Sequence, residues 1–166
     1  MTVCRSLLAR ANIVVVFLCL LAIAGCDLPS DASLIRQFQR SRQDFERLRQ
    51  MADEDNIQGR IHSDFADPKL SDVRLTEYRR LMKGSGIVRL YASGRGKPLE
   101  LIVDANGFLA QGDYKGFWYN PAESRPPAAS LDESCFDIAE ATKQERSCSA
   151  VLDLGDGWWL IRYEYR

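Results

Sequence analysis

The stretch IVRLYASGRGKPLELIVDANGFLAQ, residues 87–111, decides the fold class of this 166-residue chain. Apolar side chains recur at every second position over residues 87–92 and 99–104, which is the period of strands with one buried face. Residues 93–97 form a glycine-containing turn, and Asn106-Gly107 favours a tight hairpin into residues 108–111. The stretch therefore predicts consecutive antiparallel strands.

Apolar side chains again recur at every second position near the C-terminus. This period predicts strands over residues 117–120, 148–154 and 158–166, the last two joined by the turn Gly155-Asp156-Gly157. Residues 121–134, rich in Pro, Ala and Ser, indicate a long surface loop. We expect about five or six antiparallel strands in one sheet.

Before these predicted strands, apolar residues recur at the spacing of a helix. Apolar residues three, four and seven positions apart predict an amphipathic helix from Asp31, capped by Ser30 or Asp31, in which only Ser41 interrupts the apolar seam. A second helix is predicted from about Ser71 to Lys83, because glycines follow it at once.

The order of these segments predicts the fold class. Residues 57–68, between the helices, are expected to form an irregular or extended connection. Two helices followed by antiparallel strands indicate an α+β protein, with the helices on one face of the sheet. We expect a single globular domain over residues 31–166.

The first part of the chain has a different composition. Arg5 and Arg10 precede an apolar run over residues 13–24. The run is shorter than the roughly 20 apolar residues of a membrane-spanning helix, so it indicates a cleaved export signal. Its end, Leu21-Ala22-Ile23-Ala24-Gly25-Cys26, resembles the lipobox of bacterial lipoproteins.

This resemblance implies that residues 1–25 are removed and that Cys26 becomes the N-terminus, thioether-linked to diacylglycerol. The membrane is then the first expected partner. Asp27 resembles the enterobacterial signal that retains lipoproteins in the inner membrane, so we expect the periplasmic face of that membrane rather than the outer membrane. Residues 26–30 form a short tether of roughly 15 Å at about 3.5 Å per residue, which holds the domain beside the bilayer.

The remaining cysteines are Cys135 and Cys148, because Cys4 and Cys19 leave with the signal. In an oxidising compartment a disulfide between them is the preferred interpretation. A redox pair usually has Cys-x-x-Cys spacing, and a zinc site needs more ligands than these two and the single His62. We expect neither a metal nor a cofactor.

Charge excludes one class of function. The chain has 22 basic and 23 acidic residues, and loss of Arg5 and Arg10 changes its net charge from −1 to −3 (20 against 23). A chain with this balance is not expected to bind nucleic acid.

The order of elements also resembles a set of small uncharacterised bacterial envelope proteins. The resemblance covers most of the chain after the signal, and it implies a shared fold without catalytic residues to carry over. The matching pieces are Glu77-Tyr78-Arg79-Arg80-Leu81-Met82, Gly107-Phe108-Leu109, Lys115-Gly116-Phe117-Trp118-Tyr119, Ser130-Leu131-Asp132 and Gly157-Trp158-Trp159-Leu160.

The sequence does not indicate an enzyme. His62-Ser63-Asp64 are neighbours in the chain, which does not by itself form a catalytic triad. The glycine-rich segments lack the Ser or Thr of a phosphate-binding loop, and the carboxylates show no metal-binding spacing.

Aromatic density is the remaining functional signal. Trp118, Tyr119 and Trp158 lie in predicted strands, and Arg95 and Lys97 in a predicted turn. Rigid aromatic side chains suit a binding surface, although cross-strand pairing within the sheet explains them equally well. The preferred hypothesis is a non-catalytic lipoprotein that binds another envelope protein, with inhibition, as in immunity-type lipoproteins, one form of that binding.

The alternative hypothesis is an envelope enzyme that acts on glycan or lipid. It would place acids such as Asp104 and Asp113 near Trp118, and it requires a concave pocket in which carboxylates converge.

Overall fold

The computed structural model describes residues 28–106, 113–120, 128–138 and 146–165. Helices α1, Asp31–Arg40, and α2, Arg42–Glu54, are followed by strand β1, Gln58–His62, and helix α3, Asp72–Gly84. Next come the strands β2, Arg89–Ser93, β3, Leu99–Asn106, and β4, Asp113–Tyr119. The short helix α4, Cys135–Ile138, precedes β5, Ser147–Gly155, and β6, Trp158–Tyr165.

The six strands form one antiparallel sheet in the order β1-β2-β3-β4-β6-β5. The predicted α+β class and the helices that precede the sheet are confirmed. One row of aligned residues crosses all six strands on the helix side: Ile61, Leu90, Leu101, Phe117, Leu160 and Leu152. Five of the six belong to the buried core cluster, and the sixth, Leu152, packs against it.

The helices supply the other half of this core. Phe38 of α1 and Phe45 of α2 contact Phe117 at ring-centroid distances of 5.6 and 4.8 Å. Both phenylalanines also contact Trp158, at 5.7 and 5.6 Å. Aromatic rings at these separations add attraction beyond the apolar area that they bury, so this cluster fixes how α1 and α2 cross the sheet.

The first predicted helix is interrupted. Ser30 caps α1 as expected, its side chain accepting from the backbone N–H of Ser33, but the helix stops at Ser41 (φ −107°, ψ 18°) and restarts as α2. Serine competes with the helical backbone for hydrogen bonds and is a poor interior helix former, which accounts for a break at the point where the apolar seam is interrupted.

Strand β1 is more ordered than the irregular or extended connection predicted for residues 57–68. It is an edge strand paired along its length with β2. Local composition did not indicate it, because Gly59 (φ +122°) and Arg60 interrupt the alternation. Helix α3 matches its prediction, with Ser71 as N-cap.

The strand boundaries also differ from the predicted ones. β2 begins at Arg89, since Ile87 N–H instead donates to Met82 O at the end of α3. β4 begins at Asp113, before the predicted residues 117–120, because its inward position 115 is a lysine, which breaks the apolar alternation. The predicted strand over residues 108–111 and the anchor residues Cys26 and Asp27 lie outside the described residues. Among the described helices, none combines the length and hydropathy needed to cross a membrane.

Lys115 forms a buried ion network at one end of the sheet. Its side chain is 1% exposed, and Nζ lies 2.8 Å from Asp31 Oδ1 and 2.7 Å from Asp132 Oδ1. Asp31 Oδ2 accepts from Leu131 N–H at 2.5 Å and from Ser130 Oγ at 3.0 Å. These contacts join the start of α1, strand β4 and residues 130–132.

We predict that Lys115→Met lowers the free energy of unfolding by about 3–5 kcal/mol, because it leaves the buried Asp31 carboxylate without its cation. Chemical denaturation of the purified protein measures this change. Lys97→Met, at an exposed lysine of the β2–β3 turn, is the matched control and should change stability by less than about 0.5 kcal/mol. Equal stability of the two variants would contradict a stabilising role for the network.

Candidate partner-binding face

The side of the sheet opposite the helices carries a second row of aligned residues. Tyr91, Glu100, Trp118 and Trp159 are consecutive cross-strand partners on β2, β3, β4 and β6. Each is a chain neighbour of a residue in the core row, so alternation directs its side chain away from the helices. We call this side the open face.

A pair of tyrosines extends the open face toward the Lys115 end of the sheet. Tyr114 and Tyr163 are cross-strand partners whose rings stack with centroids 5.2 Å apart. Tyr114 Oη donates to Glu100 Oε1 at 2.6 Å. The aromatic rings and the carboxylate are thus held in fixed positions before any ligand binds.

The open face is only partly shielded from water. Tyr91 is 43% exposed, and Trp118, Trp159 and Tyr163 are half-buried. Three apolar residues on this side are buried and lie outside the core cluster: Ile102, Val151 and Ile161. Large aromatic side chains around a smaller apolar centre are typical of protein-binding surfaces.

Arg89 adds a cation beside this surface. It is the cross-strand partner of Ile102, and its buried Nε has no hydrogen-bond partner. A buried donor without a partner lowers stability, which makes an incoming acceptor favourable at this position.

The structure divides the five residues predicted to contact a partner. Trp118 lies on the open face. Trp158 is a correction: it is fully buried on the helix side, where Nε1 donates to Glu46 Oε1 at 2.8 Å, so it offers no surface to a partner. Tyr119 also lies on the helix side, half-buried against Trp158 and beneath Arg49 (4.9 Å to the ring centroid).

The two predicted basic residues lie at the opposite end of the sheet from Lys115. Arg95 hydrogen-bonds Asp53 O (3.0 Å) and Glu54 O (3.3 Å), and so satisfies the last carbonyls of α2. Lys97 is exposed in the β2–β3 turn. Arg95 therefore has a structural contact, and neither residue belongs to the open face.

The residues predicted to contact a partner did not include Tyr91, Glu100 or Trp159. The period of two along β6 contained the signal for Trp159, because adjacent Trp158 and Trp159 must point to opposite faces. Tyr91 and Glu100 join the surface only through the pairing of β2, β3 and β4. No local pattern indicates that pairing.

The expected disulfide between Cys135 and Cys148 is present, with Cα atoms 5.9 Å apart. Glu164 lies beside it, and the three side chains form a group whose ligand atoms are within 4.8 Å of one another. The sulfur atoms are bonded to each other, so they are not available as thiolate ligands for a metal.

The carboxylate of Glu164 is surrounded by donors. Ser134 Oγ (2.5 Å) and Cys135 N–H (2.9 Å) donate to Oε2, and Arg162 donates to Oε1. Burial raises the pKa of Glu164, but the hydrogen bonds and the charge of Arg162 lower it by more, so the pKa lies below its ordinary value.

His62, Ser63 and Asp64 are in contact, but not in the order of a catalytic triad. Ser63 Oγ lies 3.0 Å from His62 Nδ1 and donates to Asp64 Oδ1 at 2.8 Å. Asp64 approaches the same ring nitrogen, at 3.8 Å, and is 84% exposed. A triad needs the serine and the carboxylate on different ring nitrogens, so this cluster is not arranged for nucleophilic catalysis.

Comparisons with protein families, with curated proteins and with solved structures give no match to this chain.

We predict that Glu164→Gln lowers the free energy of unfolding at pH 7 by about 3 kcal/mol, because Arg162 loses a buried partner. The native carboxylate contributes stability that is present above its unfolded pKa of about 4.3 and is lost as pH falls through its lower folded pKa. The variant should therefore lose less stability than the wild type between about pH 5 and pH 3.

Denaturation at a series of pH values, with the disulfide intact, measures both effects. Glu133→Gln, at an exposed acid of the neighbouring loop, is the control and should follow the wild-type pH profile. A Glu164→Gln variant with the same pH profile of stability as the wild type would contradict the stabilising role assigned to the Glu164 carboxylate.

Proposed function

We propose that this protein is a lipid-anchored, non-catalytic lipoprotein of the periplasmic face of the inner membrane, and that it binds another envelope protein through its open face. The observation that carries the proposal is the row Tyr91, Glu100, Trp118 and Trp159, partly exposed and on the side of the sheet away from the helices. Inhibition of the bound protein follows if the covered surface includes its active site.

The rigidity of the open face supports binding. Its side chains stand on central strands rather than on loops, and the Tyr114–Tyr163 stack and the Tyr114–Glu100 hydrogen bond restrict their rotamers. Side chains that are already ordered lose little conformational entropy on association, so more of the contact energy appears as affinity. Tryptophan and tyrosine also dominate the energetics of known interfaces.

Three described carboxylates, those of Glu100, Asp113 and Asp132, favour binding over catalysis. Glu100 accepts from Tyr114 on the open face, and Asp113 Oδ1 accepts from the Tyr165 N–H at 3.2 Å. Asp132 Oδ1 accepts from Lys115 Nζ at 2.7 Å, and this hydrogen bond holds the pKa of Asp132 below its usual value. A general acid needs a free position toward its substrate, whereas each of these three carboxylates already accepts a hydrogen bond from the domain itself.

Attachment through Cys26 is the first part of the proposal to test. We expect acyl label and the mass of thioether-linked diacylglycerol on the N-terminal peptide that begins at Cys26, and complete loss of both in Cys26→Ser. Cys4→Ser, whose cysteine leaves with the signal, is the control and should be acylated like the wild type. Acylation of the Cys26→Ser variant would contradict the assignment.

Binding through the open face is tested by site-specific photocrosslinking in cells. A photoreactive residue in place of Tyr91 should capture one discrete envelope protein, because this position is the most exposed aromatic of the row. The same residue in place of Gln43, exposed on α2 on the other side of the molecule, should not capture that protein.

The captured protein is then purified and its affinity for the lipoprotein measured. Trp159→Ala should weaken the complex by about 2 kcal/mol, roughly thirtyfold, as expected for a central aromatic contact. Equal capture from positions 91 and 43, or an affinity unaffected by Trp159→Ala, would reject the open face as the binding surface.

A further inference from the structure

A groove lies at the corner where α3 meets the start of β2, away from the open-face aromatic row. Its volume is about 530 Å³. Val88 provides exposed apolar surface above the buried side chains of Met82 and Ile87, and Arg79, Lys83 and His62 surround it. An apolar floor with a basic rim is the arrangement that fits an anionic amphiphile.

The cations of this groove are not neutralised by the described residues. Arg79 Nε donates to His62 O at 3.2 Å, and no described carboxylate lies within ion-pair distance of Arg79 or Lys83. Glu77, on the same helix, pairs instead with Arg47 and Arg74. The acid at the rim, Asp64, is held by Ser63 beside His62.

The groove lies near the point where the chain enters the described domain. Gln37 Nε2 of α1 donates to Ser85 O at 2.5 Å, next to Gly86 in the groove wall. Gln37 is six residues beyond Asp31, about 9 Å along the helix axis at 1.5 Å per residue. The strand register places the groove toward the same end of the sheet as Lys115. His62 is aligned through Arg89 and Ile102 with Gly116, the chain neighbour of Lys115, three strands or roughly 14 Å away at about 4.8 Å per strand.

We infer that this groove binds an anionic phospholipid of the membrane that carries the anchor, with the phosphate at Arg79 and Lys83 and an acyl chain along Met82, Ile87 and Val88. The inference rests on the lipid attachment proposed above, because a tether of roughly 15 Å brings this corner to the headgroup layer. Charge complementarity and the apolar floor together select a lipid rather than a small anion. Binding here fixes which side of the domain lies on the bilayer and leaves the open face for a protein partner.

Photocrosslinking in vesicles tests this inference with the full-length lipidated protein. A photoreactive residue replaces Val88, which is 43% exposed in the groove, or Val73, an 82% exposed valine on the first turn of α3, as the matched control. The vesicles contain phosphatidylcholine with a minority of phosphatidylglycerol, and the lipid adducts are identified by mass. Adducts from position 88 should be enriched in phosphatidylglycerol over its mole fraction, whereas adducts from position 73 should not.

Arg79→Gln and Lys83→Gln should each reduce the enrichment at position 88 by about tenfold, the loss expected for one charge-assisted hydrogen bond. Arg36→Gln, on the exposed surface of α1, should leave it unchanged. Adducts in proportion to vesicle composition, or enrichment that survives both groove substitutions, would overturn the inference. So would loss of the adduct on addition of millimolar inorganic phosphate, which would indicate a simple anion site.

The same mass spectra report whether Cys26 is acylated. An unacylated Cys26 would contradict the lipid anchor, whereas acylated protein without phosphatidylglycerol enrichment at position 88 would contradict lipid binding in the groove. Neither result depends on capture of a protein at the open face.

Discussion

The Lys115 ammonium group, buried between Asp31 and Asp132, is the interaction on which the arrangement of this domain depends. A buried cation is tolerated only when carboxylates and further hydrogen bonds replace the water that it has lost. Here the cation lies near the start of β4, and its partners come from the first residue of α1 and from the segment before α4, so the charge is satisfied only when all three are in place. The network therefore stabilises one particular packing of helices, sheet and loop.

A second set of buried polar side chains, Arg162 and Glu164, adjoins the Lys115 network. Arg162, the cross-strand neighbour of Lys115 on β6, donates to Leu131 O at 2.9 Å and to Glu164. Glu164 in turn receives the hydroxyl of Ser134 and the N–H of Cys135, at the start of the disulfide-bonded helix α4. The disulfide and the two carboxylate centres thus hold the same segment, residues 130–135, against the same end of the sheet. The sheet is left with one side filled by helices and the other side presenting aromatic rings.

This asymmetry separates the two proposed contacts of the molecule. The open face is rigid and aromatic, which suits the centre of a protein interface. The groove around Arg79 and Lys83 is basic and apolar, and it lies near the Asp31 end of the domain, from which a lipid tether would extend. A domain that rests on anionic headgroups through that corner still presents the row from Tyr91 to Trp159 to a neighbouring protein. The short tether that we propose would limit the partner to proteins at the same membrane surface.

The sequence by itself determined the α+β class, the cap at Ser71, most of the strands and the Cys135–Cys148 pair, because these depend on local period, turn chemistry and the count of remaining cysteines. It limited the first cap to Ser30 or Asp31. It marked Ser41 as an interruption of the apolar seam, but it predicted one continuous helix there rather than two. Strand β1 and the first half of β4 were not predictable, since an edge strand with Gly59 and an inward lysine at 115 lack the apolar alternation that marks a strand. Only the tertiary structure decided that Trp158 is core and Trp159 surface, that Tyr91 and Glu100 join Trp118, and that His62, Arg79 and Lys83 line one groove. Those positions depend on strand pairing and helix packing between residues far apart in the chain, and no local pattern encodes such pairing.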